Sequence, residues 1–131
     1  IHYSHSRYRD QHRLQKLYRY PLLQINPETA ADLGIADGDT VYIETPEGRI
    51  RQRAKLWDGI HPRVVHADGY WWYPELQGKE PCLFGVWESN INQLIPMGYQ
   101  GKDGLGAPLK HLLCKVYKVN QNEEKKNVQE Q

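Results

Sequence analysis

The opening segment, IHYSHSRYRDQHRLQKLYRYP, brings several kinds of chemistry within reach. His2 and His5 have the spacing of a metal-ligand pair, but no further ligands accompany them, and a closed zinc site takes four. Two surface histidines are the plainer reading, and no metal site is assigned. Arg7, Arg9, Arg13, Lys16 and Arg19 interleave with Tyr3, Tyr8, Tyr18 and Tyr20, a mixture that can follow phosphates and stack on bases. Farther on, the glycines of GYQGKDGLG, Gly98 to Gly106, look superficially like a phosphate loop. No strand feeds them, however, and no Gly-Lys-Ser/Thr closes them. Cys82 and Cys114 have no Cys-x-x-Cys partner and read as buried or half-buried thiols. The pair Trp71-Trp72 reads, taken alone, as a cap on a core, and Asn90 and Asn92 read as turn residues. No nucleophile, acid or base stands out, so no catalytic residue is assigned.

These side chains flank a much more regular stretch. Before it, Leu14, Leu17 and Tyr18 fall at helical spacing and Pro21 stops the pattern, which predicts a loop and then a short helix. LLQI follows as a brief strand. Asn26-Pro27 starts a second short helix, with Asn as N-cap and Pro at the first helical position, and Gly34 ends it in the left-handed conformation. TVYIET and RIRQRAKL read as two strands joined through Pro46 to Gly48. In the first, Val41 and Ile43 share one face. In the second, Ile50, Ala54 and Leu56 alternate with Arg49, Arg51, Arg53 and Lys55, whose charges predict a solvated face. A further strand is expected around Val64 and Val65, and a closing strand in HLLCKVYKV. From Asp68 to Pro108 the chain reads mostly as loop, rich in glycine, proline and large aromatics, and a connection of that length is usually functional.

The composition is that of a globular chain: 39% hydrophobic and 11% aromatic residues in 131 suffice for one domain with a real core. A formal net charge of +1 supplies no long-range attraction for nucleic acid, so none is expected as a partner, and any anion must be held locally. No apolar run is long enough to span a bilayer and no signal-peptide pattern opens the chain, so no membrane span is expected. The first residue is Ile1 rather than Met, as in a piece of something larger or a trimmed chain. The tail NQNEEKKNVQEQ, residues 120–131, is polar and charged, and disorder is expected there. Short strands, one capped helix and tight turns together predict a mainly β domain, a small barrel with appended loops.

INPETAADLGIADGDTVYIETPEGRIRQRAKLWDGIHPRVVHADGYWWYPE, with NINQLIP and PLKHLLCKVYKV later, resembles the signature of the C-terminal domain of the dimethyl sulfoxide reductase family. These are prokaryotic oxidoreductases that carry molybdenum or tungsten on two pterin guanine dinucleotides. The resemblance rests on the order of the Asn-Pro-Glu-x-Ala helix start, the Leu-Gly-Ile-x-Asp-Gly-Asp turn, the Pro-x-Gly hairpin, the Asp-Gly-Ile-x-Pro turn and the Trp pair. HSRYRD and GYWWYPE are most similar to the branch of thiosulfate and polysulfide reductases and acetylene hydratase.

The resemblance implies a six-stranded double-psi β-barrel with short helices and long loops over residues 1–119. It implies that this barrel contacts molybdopterin guanine dinucleotide, while the molybdenum or tungsten is held by the remaining domains of a parent oxidoreductase in the prokaryotic cytoplasm or periplasm. His5, Ser6 and Arg7 match the segment that touches the pterin and the pyrophosphate; a hydroxyl, N–H groups and a guanidinium fork suit a diphosphate. The register with His2 and Ser4 in those places stays open. Trp71 and Trp72 stand where the family has aromatics near the cofactor. Asn90 and Asn92 stand where amides can pair with a pterin edge, although Ile95 replaces the usual Thr or Ser. Lys110 and His111 stand at a basic or polar contact before the last strand. A free-standing small subunit of a molybdenum enzyme and a nucleic-acid module are the alternatives.

Overall fold

The computed structural model describes residue 3, residues 5–96 and residues 112–120. His2, Ser4, the glycine run at 98–106, Lys110, His111 and nearly all of the 120–131 tail lie outside the described residues. Helix α1 spans His12–Leu17 and buries no residue of its own. Strand β1, Leu22–Ile25, leads into α2, Pro27–Asp32, where the Asn26 side chain accepts a hydrogen bond from the Glu28 N–H at 3.0 Å, as an N-cap should. Gly34 closes that helix with φ +66°, a left-handed value that a side chain resists. Strands β2 (Thr40–Glu44) and β3 (Arg49–Leu56) form the expected hairpin, β4 is Val65–Ala67, and β5 is Lys115–Lys118.

The strands hydrogen-bond in the order β4-β1-β3-β2-β5, a mixed sheet that curls into a half-barrel. β1 and β3 run parallel, with Leu22 opposite Arg53 and Ile25 opposite Leu56, and the remaining pairs are antiparallel. Parallel neighbours need a crossover. Here α2 and β2 supply it, and Asp37, in the turn between them, accepts a hydrogen bond from the Leu56 N–H at 2.8 Å. Inside the curl lie Leu23, Ile25, Val41, Ile43, Ile50 and Ala54 from the strands, Ala30 and Ile35 from α2 and its exit, and Leu94.

Five strands, rather than the expected six, form this sheet among the described residues. The stretch after β4, expected as loop, instead makes short helical turns: a 3-10 turn at Leu83–Gly85, helix α3 at Val86–Ser89, and a 3-10 turn at Ile91–Leu94. These lie across β3, which corrects the expectation that its arginines simply face water. Arg51 is half-buried and pairs with Glu88 of α3, while Arg49 and Arg53 stack over Tyr42 and Tyr20 at 4.1 and 4.3 Å from the ring centres.

Candidate functional site

Residues expected to act together come from three segments, and packing joins those segments. In the opening segment His5 and Tyr8 hold left-handed φ values of 56° and 67°, and Tyr70, just before the tryptophan pair, holds 61°. Non-glycine residues resist this conformation, which persists only where the surroundings enforce it and is concentrated at functional sites. The His5 and Tyr70 rings lie 4.5 Å apart, so side chains of two of these residues meet.

Arg9 is the deepest polar side chain among the described residues of the opening segment, 3% exposed. Its guanidinium carbon lies 3.7 Å from the ring centre of Trp71, 4.7 Å from that of Trp72 and 5.6 Å from that of Tyr3, and Nη1 donates weakly to the Trp72 carbonyl at 3.4 Å. Such a cage attracts a cation electrostatically without accepting its hydrogen bonds, and Arg9 Nε has no hydrogen-bond partner. Burial lowers its pKa from the usual guanidinium range to about 10, partly offset by Tyr3 and by Asp68, so it stays a cation at neutral pH.

Beneath the cage lies a polar network. The Tyr3 hydroxyl donates to the Tyr18 carbonyl at 2.8 Å, and the Tyr18 hydroxyl donates to Asp68 Oδ2 at 2.5 Å, which also accepts from the Leu22 N–H at 2.8 Å. Burial and the Asp68 carboxylate push the Tyr18 phenol well above its usual pKa. The Gln52 amide, 1% exposed, donates to the Asp68 carbonyl at 2.7 Å and accepts from the Asp68 N–H at 3.1 Å. Asp68 is thereby tied to β1 through Leu22 and to β3 through Gln52, and the opening segment is tied to Asp68 through Tyr18.

The third segment joins at Ser89, which is fully buried and donates to the Trp71 carbonyl at 3.3 Å. Next to it the Asn90 side chain accepts from the Asn92 N–H at 3.1 Å and caps the following 3-10 turn. The turn-residue reading of Asn90 therefore holds, and the side chain of Asn92 is left exposed. Of the tryptophans, Trp71 is buried, stacked with Tyr18 at 5.9 Å and covered by Arg9, while Trp72 is half-buried. His5, Ser6 and Arg7 are exposed. Contacts thus connect the His5–Arg9, Tyr70–Trp72 and Ser89–Asn92 segments. Sequence reasoning missed Asp68, Gln52 and Ser89 as the fasteners; a lone Gln at a core-facing strand position was the available signal.

Among the described residues no three His, Cys, Asp or Glu side chains group as a metal site, and no helix is long and apolar enough to cross a membrane. Cys82 is half-buried as expected, but Cys114 is exposed, because it precedes β5 at the edge of the sheet.

Residues 1–105 match the family model of the molydopterin dinucleotide binding domain. A dopamine dehydroxylase of Eggerthella lenta is 37% identical over 89% of this chain, which spans 11% of that protein. The molybdopterin-containing subunit ArrA of the arsenate respiratory reductase of a Shewanella species is 32% identical over 73% of the chain and 12% of its own length. The chain thus spans about a tenth of the curated relatives it matches. Among solved structures, acetylene hydratase from Pelobacter acetylenicus superposes with a TM-score of 0.79 at 23% identity, over 90% of this chain and 17% of that one, a likeness of fold.

Proposed function

The chain belongs to the molydopterin dinucleotide-binding domain family, whose members bind that cofactor, and from this premise we propose which residues hold the cofactor and what they serve. The chain is one domain of a longer molybdenum or tungsten oxidoreductase, and the metal is held by the other domains, which are its partners. His5, Ser6 and Arg7 face the pterin and diphosphate, Trp72 with Trp71 behind it forms an aromatic wall, and Asn90 and Asn92 meet the pterin edge. Lys110 and His111 belong to the same proposal on the family resemblance alone. The half-barrel is part of a six-stranded double-psi barrel, a reading supported by its parallel β1-β3 pair and its likeness to acetylene hydratase.

The single observation that carries this assignment is the chain of contacts, His5 to Tyr70, Arg9 to Trp72 and Trp71 to Ser89, that joins three segments distant in sequence. The donors suit the group: an exposed hydroxyl and guanidinium for phosphate, amides for a heterocycle edge, and a half-buried indole for a flat ring. When bound, the cofactor supplies redox chemistry at its metal. The chain's own residues bind it, orient it and keep water from one side.

The test is cofactor retention by the longer protein that carries this domain. Arg7→Ala, Trp72→Ala and Asn92→Ala should each lower the molybdenum or tungsten content and the nucleotide released by hydrolysis, measured after gel filtration. Full retention in all three would remove the residue assignment, and a wild-type protein holding no nucleotide would remove the cofactor reading.

A further inference from the structure

Helix α1 lacks the supports that a short helix needs. Its six residues are too few to stay helical in water by propensity alone, so a helix of this length is held by what packs on it. Yet α1 buries none of its residues, Gln11 at its N-cap makes no side-chain cap, and no acid in its first turn meets the helix dipole. Among the described residues no strand or other helix makes extended contact with it. Leu17, its last residue, is 63% exposed.

The charge of this segment is one-sided. From residue 9 to residue 19 the chain carries Arg9, Arg13, Lys16 and Arg19 against one carboxylate, Asp10. Arg13, Lys16 and Arg19 are exposed, and none of them joins an ion pair among the described residues. Beside α1 opens a cleft of about 480 Å³, whose walls include Arg9, Lys16, Arg19 and Trp71, with Glu75 as the acid among them. Arg9 is buried there, and its Nε has no hydrogen-bond partner among the described residues. Asp68, the nearby carboxylate acting on it, is already engaged by the Tyr18 hydroxyl and the Leu22 N–H. A desolvated guanidinium without a dedicated counterion is costly unless something supplies one.

Whatever covers α1 must bring carboxylates or other anions for the cations and an apolar contact for Leu17. A nucleic acid would bring anions and bases, but Trp71 offers no free face for a base, since Arg9 lies over it at 3.7 Å and Tyr18 stacks on it at 5.9 Å. A protein surface brings both charge and an aliphatic cover. Its source follows from the relatives: this chain spans about a tenth of their length, so most of such a polypeptide is available to pack on it. Resting on the reading of this chain as one domain of a longer oxidoreductase, we infer that α1 and the cleft beside it form an interdomain docking surface. An acidic segment from elsewhere in the same polypeptide lies along α1, covers Leu17 with an apolar side chain, and sends a carboxylate between Lys16 and Arg19 toward Arg9. Lys16, Leu17 and Arg19 are none of the residues assigned to the cofactor.

The longer protein that carries this domain provides the test. A carbodiimide, which takes up the water lost when an ammonium and a carboxylate join in an amide, should link Lys16 to an Asp or Glu outside residues 1–131, mapped by mass spectrometry. Lys118 and Asp39, 2.8 Å apart, should be joined in the same digest and show that coupling works. Hydrogen exchange of the same protein should find the α1 amides protected. Lys16→Glu/Arg19→Glu, which changes two exposed side chains without touching the core, should speed that exchange about tenfold or more and leave the amides of β1, β2 and β3 unchanged. Leu17→Ser should speed it as well. Lys16 linked only within residues 1–131 or not at all, or α1 amides that exchange alike in wild type and the double variant, would overturn the proposal. Protection lost on nuclease treatment would overturn it in favour of nucleic acid. Cofactor retention is read from nucleotide and metal content instead, so the docking surface and the cofactor assignment can fail independently.

Discussion

Gln52 presents its amide to Asp68 as a neighbouring strand would present its backbone, one donor and one acceptor to one residue, beside the bond that the Asp68 N–H also gives to the Leu22 carbonyl of β1. A buried carbonyl left without its donor costs about 1–3 kcal/mol, more than the hydrogen bond is worth in water. Gln52→Leu, nearly the same in size, should therefore lower stability by roughly that amount in urea denaturation. An unchanged midpoint would mean that the network does not hold the loop. Asp39 gives a second prediction at this scale. The hydrogen bond from Lys118 and that from the Ala36 N–H hold its pKa below the ordinary 3.8. A carboxylate with a depressed folded pKa contributes stability that is present above its unfolded value and lost as pH falls through the folded one. Asp39→Asn should cost up to about 1 kcal/mol at neutral pH, as expected of a partly exposed pair, and the difference from wild type should vanish in strong acid. A gap that persisted there would assign the cost to something other than charge.

The hairpin β2-β3 and the 3-10 turn at Ile91–Leu94 behave as one unit. Thr45 Oγ1 donates to the Leu94 carbonyl at 3.0 Å, Leu94 enters the core, and a Cβ at Gly48 would meet the Gln93 carbonyl oxygen at 2.7 Å. No flexible side-chain end is there to yield, only backbone. Gly48→Ala should thus push the turn off the hairpin and cost on the order of 1–3 kcal/mol, as overpacking does. Because Ser89, Asn90 and Asn92 sit on the same short stretch, the substitution should also shift the amide resonances of Asn90 and Asn92. A melting temperature and a spectrum like those of wild type would separate the turn from the hairpin.

At the scale of the molecule, the proposed role gives this domain a cofactor-binding surface and leaves the reaction to other domains. His5 has no companion ligands among the described residues, and the two cysteines show no shared site there. The chain by itself should show no turnover, and elemental analysis after dialysis should find no stoichiometric molybdenum, tungsten or zinc. One bound metal per chain would mean that a ligand set had been assigned to the wrong domain.

Local chemistry decided how much could be read in advance. The α2 cap at Asn26, the left-handed Gly34, the β2-β3 hairpin and the alternation of buried Ile50 and Ala54 were legible because each depends on residues within a few positions of one another. The opening motif, the tryptophan pair and the asparagines could be named for the same reason, as short strings with a familiar order. What the string could not contain was partnership across the chain: Arg9 over Trp71 and Trp72, Gln52 on Asp68, Arg51 on Glu88 and Ser89 on Trp71 link residues 16 to 63 positions apart. Which of two adjacent tryptophans is buried, and which arginine of an alternating strand leaves the solvent, depends on what the folded chain lays over them. Hydrophobic periodicity and turn chemistry are properties of neighbours in sequence, whereas desolvation and hydrogen-bond pairing are properties of neighbours in space.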